Sequence, residues 1–210
     1  YISVSSFAVA TTKQFTTAVE NLKKEGAKSL IIDLRNNPGG VLNSAVDMLA
    51  SILPDGKLVY TKDKNGKGEE YYSKDGQIRY KSNDGYRDKA YPKKDSGQLN
   101  LPMVVLINQN SASASEVFAQ SMKDYKWATI IGTKSFGKGI VQNLIPRADG
   151  SAVKLTVSSY FTKNGNVIQD KGVTPDIEIK QSGKWKRSTL LPPHDEDRQL
   201  QRAIKELKDK

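Results

Sequence analysis

With 210 residues, 37% of them hydrophobic, the chain can bury one sizeable core, and no apolar run approaches the ~18 residues of a membrane span. It has no cysteine, which excludes disulfides, thiol catalysis and thiolate metal sites; its single histidine, His194, is too little for a metal site, and a Ser-His-Asp triad would have to recruit that one tail residue. The formal charge of +10 raises nucleic acid as a partner, but the lysines are interleaved with acids: from Asp55 to Asp95, 11 Lys and Arg stand against 8 Asp and Glu, a mixed solvated face and no basic stripe.

The chain opens at Tyr1 inside a strand-like stretch, Tyr1 to Val4, with no Met or signal segment, so it reads as a processed or excised piece of something longer. Thr11 and Thr12 can cap a helix whose Phe15, Ala18, Val19 and Leu22 form one stripe, ended by Gly26. Ser29 to Leu34 is nearly all apolar, the mark of a strand covered on both faces. Arg35-Asn-Asn-Pro-Gly-Gly40 is a dense turn signal, and Ala45, Met48, Leu49 and Ile52 mark a second helix stopping at Pro54-Asp-Gly56.

Residues 57–100 are polar, rich in Gly and Asp, and hold six of the nine tyrosines. Lys57–Thr61 and Glu69–Tyr72 fit strands of a small antiparallel excursion, either a lid or cleft wall or a surface elaboration. Met103 to Ile107 is a buried strand, and Ala114, Val117, Phe118, Met122 and Tyr125 fall at helical spacing after it. A further strand, Ala128 to Ile131, follows. Repeated strand–helix alternation argues an α/β fold with parallel strands, and sites form in loops at their carboxyl ends. Both the Asn-Asn-Pro-Gly-Gly loop and the Ser-rich loop, Asn110 to Ser115, have that position.

After residue 140 the pattern turns to β: Ile140–Ile145, then Ala152–Val157 running on to Phe161, with turns at Ala148–Ser151 and Asn164-Gly165. His194 sits in a polar hinge and reads as a solvated loop residue. Residues 195–210 read as a charged terminal helix with one apolar edge of Leu200, Ile204 and Leu207.

Two segments carry chemistry. Ser113-Ala-Ser-Glu116 fits a capping box, in which Ser accepts from the amide three residues on and Glu reaches back. The same turn places a hydroxyl beside unpaired amides at a helix's positive end, a suitable place for a nucleophile and an oxyanion site. Gly132 to Gly139 matches a phosphate loop as far as Lys138, but Gly139 stands where Ser or Thr must bind magnesium, and a strand follows where a helix is required. The other reading is a lysine placed by flanking glycines, with Gln142 four residues on. If Ser113 is a nucleophile, lysine is the remaining common base. An ordinary lysine titrates near 10.4, leaving about one in 2,500 neutral at pH 7; a useful base needs roughly 7 to 8, a shift of about 3 to 5 kcal/mol that desolvation can supply. Phe136 is placed to help dry such a site.

Together Asp33-Leu-Arg-Asn-Asn-Pro-Gly-Gly40, Ser111-Ala-Ser-Ala-Ser-Glu116 and Phe136-Gly-Lys-Gly139 with Gln142 resemble the C-terminal processing (tail-specific) proteases, and Gly172-Val-Thr-Pro-Asp176 matches their closing motif. The resemblance implies a crotonase- or ClpP-like α/β fold, layered parallel sheets with helices and a β-rich C-terminal portion. It implies a catalytic core over 1–180, including the 57–100 insertion; beyond it, residues 181–210 read from their own pattern as a charged helical tail. The resemblance also implies a peptide-binding PDZ domain and an N-terminal segment in the full-length protein.

By that resemblance Ser113 is the nucleophile and Lys138, 25 residues on, the base. Gln142 would orient the lysine, and Gly39, Gly40 and the Ala114 amide would bind the oxyanion. Asp124 matches an acidic position sometimes tied to activity. A carboxylate on Lys138 would oppose base catalysis, so Asp124 reads as a helix-end partner, and Arg35 as a structural ion-pair residue. The implied activity is a serine endopeptidase that cuts protein chains near accessible C-termini, without metal or organic cofactor and without nucleic acid. The implied location is extracytoplasmic, and homo-oligomers are left open. The rival from another class is a non-catalytic peptide-binding or scaffold module that retains the fold.

Overall fold

The computed structural model describes residues 1–74, 77–82, 91–92, 99–183, 185 and 190–209. Their backbone forms two sheets. In the first, β1 (Ile2–Ser3), β2 (Leu30–Asp33), β7 (Met103–Ile107), β8 (Thr129–Gly132) and β11 (Ile177–Glu178) lie side by side in that order. All four pairings are parallel. Every residue of β2 and β7 is buried, as their unbroken apolar runs require.

Strand alternation divides those residues between two cores. Leu30, Ile32, Met103, Val105 and Ile107 join the larger cluster, with α1 (Thr11–Lys24), α2 (Leu42–Ile52) and α3 (Ala114–Asp124). Ile31, Val104, Leu106 and Ile131 join the smaller one, where they meet Leu200 and Ala203 of α4 (Arg198–Lys208). Ile204 and Leu207 pack against the same cluster, so the apolar edge read in the sequence is the edge that docks. Asp197 caps α4 by accepting from the Gln199 and Leu200 amides. At α1 the expected threonine cap is not formed: the helix starts at Thr11 itself, whose hydroxyl accepts from the Ala8 amide and donates to the Ser6 carbonyl.

The second sheet is antiparallel, in the order β6 (Tyr91–Pro92), β5 (Gln77–Ser82), β4 (Glu69–Lys74), β3 (Gly56–Lys62), β10 (Ala152–Thr162) and β9 (Ile140–Pro146). The expected antiparallel excursion is present as β3 and β4, and it is continuous with the C-terminal strands. Its strand β3 pairs with β10, and the opposed Tyr60 and Phe161 stack with ring centroids 5.1 Å apart. Whatever the sequence suggested for 83–90 and 93–98 lies outside the described residues. The turns at 148–151 and 164–165 form as expected, closed by Gly150 donating to the Arg147 carbonyl and Gly165 to the Thr162 carbonyl.

Candidate active site

The parallel strands deliver three loops to one end of the sheet: 34–41 after β2, 108–113 after β7 and 133–139 after β8. Side chains on one loop bind the backbone of another. Ser111 Oγ donates to the Leu34 carbonyl (2.7 Å) and accepts from the Asn108 amide (3.0 Å). The Ala112 amide and Ser115 Oγ both donate to the Asn37 carbonyl, at 3.0 Å each. Asn36 Oδ1 accepts from the side chains of Asn108 and Asn110, at 2.8 Å each. The serines flanking Ser113 are therefore buried struts, which leaves the half-buried Ser113 as the accessible one.

Ser113 has φ 56° and ψ −117°. A positive φ is sparsely populated for a residue with a Cβ, costs about 1–3 kcal/mol and persists only where the surroundings impose it. Here the sharp turn from strand to helix imposes it. The capping box read in the sequence is present, and its 2.9 Å half is the Ser113 amide donating to Glu116 Oε2.

Glu116 also does something the sequence does not reveal. It is fully buried, and its carboxylate takes three further donors from the third loop: Ser135 Oγ (2.5 Å) and the Gly137 amide (2.6 Å) at Oε1, and the Lys138 amide (2.7 Å) at Oε2. The amides of Ser113 and Lys138 thus share one carboxylate oxygen, so their nitrogens lie no farther apart than those two hydrogen bonds laid end to end. Every amide from 135 to 139 is fastened: Ser135 to the Val173 carbonyl, Phe136 to the Ser111 carbonyl, Gly137 and Lys138 to Glu116, and Gly139 to Gln169 Oε1 (2.9 Å). A Cβ on Gly139 would lie 2.4 Å from the Gln169 nitrogen, so only glycine fits. The closing motif supplies the last brace, with the Val173 amide donating to Ser135 Oγ (2.6 Å).

Gly39 abuts the serine turn directly. A Cβ there would lie 2.6 Å from the Ala112 carbonyl oxygen, 2.8 Å from Ser113 Cβ and 2.9 Å from the Ala114 nitrogen. Its own amide donates to Asn37 Oδ1 (2.8 Å). Among the described residues, the amides of Gly40 and Ala114 make no hydrogen bond.

Other expectations come out differently. Among the described residues no hydrogen bond joins Gln142 to Lys138: Gln142 lies on β9 opposite Thr156, and its side-chain amide reaches Thr156 Oγ1 at 3.5 Å. Phe136 is 67% exposed and dries nothing here, because its amide is tied to Ser111 and its ring is left outside. Residues 133–139 lead into a strand with no helix, so the phosphate-loop alternative lacks its anion site.

Asp124 does sit at a helix end. It accepts from Gln120 and Asn166 (2.8 Å each), the Asn164 amide (3.2 Å) and Thr162 Oγ1. Arg35 is a buried ion-pair residue, with Nε on both Asp33 oxygens (3.0 Å each), Nη2 on Asp197 (2.8 Å) and Nη1 on Gln199 (3.0 Å). Burial works against its charge, yet the bonds to Asp33 and Asp197 hold it above the ordinary arginine value. Burial and the neighbouring Asp33 also push the Tyr1 hydroxyl, which donates to Asp33 Oδ2, up to about 12. His194 is exposed, beside Tyr1 at 5.9 Å between rings.

The sequence pattern of peptidase family S41 matches residues 1–179. A carboxyl-terminal-processing protease of Synechocystis is 34% identical over 181 residues, which are 86% of this chain and 38% of that protein. A Staphylococcus aureus protein named "Probable CtpA-like serine protease" is 36% identical over 191 residues, 91% of this chain and 35% of its own. Among solved structures, a photosystem II D1 C-terminal processing protease superposes with a TM-score of 0.68 at 33% identity, over 84% of this chain and 41% of that one. The chain spans little more than a third of the length of these curated relatives. It belongs to peptidase family S41, and its mixed α/β fold is the one the motifs implied.

Proposed function

We propose that this member of peptidase family S41 is the catalytic core of a serine endopeptidase that uses a Ser113–Lys138 dyad and cuts polypeptides near their C-termini. The observation that carries the reading is Ser113 in a strained strand-to-helix turn, with its amide on the same Glu116 oxygen as that of Lys138. Strain of this kind clusters at catalytic residues.

In the reaction, the neutral Lys138 amine takes the Ser113 hydroxyl proton while Oγ attacks the substrate carbonyl carbon. The oxyanion that forms is met by the Ala114 amide at the α3 N-terminus and by the Gly40 amide, with Gly39 allowing the close approach. The C–N bond then breaks as the Lys138 ammonium gives its proton to the leaving amine, which leaves an ester on Ser113. Water, deprotonated by Lys138, hydrolyses that ester. Glu116 acts as a positioning residue for both partners. The preference for C-terminal tails is supported by the relative named for carboxyl-terminal processing. A PDZ domain elsewhere in the longer protein and an extracytoplasmic location belong to the same proposal.

The test is cleavage of an unstructured peptide by wild type, Ser113→Ala and Lys138→Ala. Both variants should fall by at least about 10³-fold in kcat. Equal turnover in all three would leave a peptide-binding module in the protease fold.

A further inference from the structure

Exposed apolar side chains are concentrated on one hairpin. Leu144, Ile145, Val153, Leu155 and Val157 of β9 and β10 are 69%, 47%, 36%, 47% and 38% exposed. Single exposed hydrophobes need no explanation, whereas five on a single hairpin do. Among the described residues β9 pairs with β10 alone, so its outer edge keeps a row of unpaired backbone groups.

The register sorts these side chains by face. Val141, Asn143 and Ile145 share one face, with Leu155 opposite Asn143 and Val153 opposite Ile145. Gln142 and Leu144 point the other way, beside Thr156 and Lys154. Val141, Asn143 and Val157 line a cleft of about 520 Å³ that Leu42, Tyr71 and Tyr160 also line. Leu42 stands two residues beyond Gly40, and β9 begins two residues beyond Lys138. Both loops of the proposed site therefore lead into this one cleft.

Resting on the protease reading above, we infer that the free edge of β9 is where the substrate docks: an extended polypeptide segment pairs with β9 through its main chain and turns apolar residues, at every second position, into the cleft. Main-chain bonds to the edge supply affinity, and the alternate side chains supply selectivity. Antiparallel pairing, the more stable arrangement, runs the segment towards Lys138 and lays the residues on the N-terminal side of the cut bond along β9.

The test is binding of a fluorescent, unstructured peptide with valine at every second position to the Ser113→Ala chain, read by anisotropy. N-methylation is walked through the peptide one amide at a time. Pairing to an edge predicts a period of two, with alternate amides each costing about tenfold in Kd and those between them less than about twofold. Ile145→Lys, on the cleft face, should weaken binding about tenfold, and Leu144→Lys, on the opposite face of the same strand, by less than about twofold. A flat N-methyl profile, or equal loss in the two lysine variants, overturns the inference. If wild type still cleaves through Ser113 in that case, the protease reading stands without it. Periodic binding with no Ser113-dependent cleavage removes the protease reading and leaves only the strand pairing.

Discussion

Glu116 shows how one side chain can serve two levels of structure. Its capping role was legible, because Ser and Glu three apart before an apolar stripe is a local pattern. Its second role was not, since the partners lie 19 to 22 residues on and reach it only through the fold. Glu116→Gln replaces a carboxylate holding four donors with an amide that must aim its own N–H groups at two of them. The expected cost is about 2–5 kcal/mol in urea denaturation, with cleavage falling further than that destabilisation explains, because Lys138 loses its register with Ser113. Gly39→Ala combines a backbone at φ 98° with a Cβ 2.6 Å from the Ala112 carbonyl. It should cost upwards of about 2 kcal/mol by the same measurement and abolish cleavage. The orienting role of Gln142 was implied by the family resemblance; here it lies on β9 opposite Thr156, and among the described residues no hydrogen bond joins it to Lys138. The residue that does steady this loop, Gln169, lies 30 positions from Gly139 and has no signal in the sequence.

At the scale of elements, the C-terminal helix and the glycine loop are one unit. Arg35 precedes Asn36 to Gly40, and 162 residues later Asp197 both caps α4 and pairs with that guanidinium, each side chain 1% exposed. An ion-pair role for Arg35 could be read from its neighbours in sequence, but a partner so distant could not. Burial by itself would raise the Asp197 carboxyl. The Arg35 bond, the Leu200 amide and the Gln181 side chain outweigh it and hold the group below the ordinary carboxylate range. Because the folded value is the lower one, the contribution to stability is present above the unfolded pKa near 3.9 and is lost as pH falls through the folded value. Urea midpoints measured from pH 7 to pH 2 should therefore drop below about pH 4 in wild type. Asp197→Asn should start lower at pH 7 and fall less steeply in that acid range. Parallel acid limbs in the two proteins would remove Asp197 as a contributor.

Over the whole molecule, the buried runs of β2 and β7 and the helical stripes made the parallel sheet legible, since each is a local pattern repeated. The second sheet was half visible. Its hairpins carry turn residues, but the pairing of β3 with β10 joins segments about a hundred residues apart through Tyr60 and Phe161. On the proposed reading, the fold holds Ser113, Lys138 and the amides of Gly40 and Ala114, which make no hydrogen bond among the described residues, at one end of a layered core. The most direct measurement is the intact mass of the chain after brief exposure to a serine-directed fluorophosphonate, followed by mapping of the adduct. A single adduct on Ser113 that forms at least about 10²-fold more slowly in Lys138→Met is the predicted result. An adduct elsewhere, or labelling of Lys138→Met at the wild-type rate, would contradict the dyad.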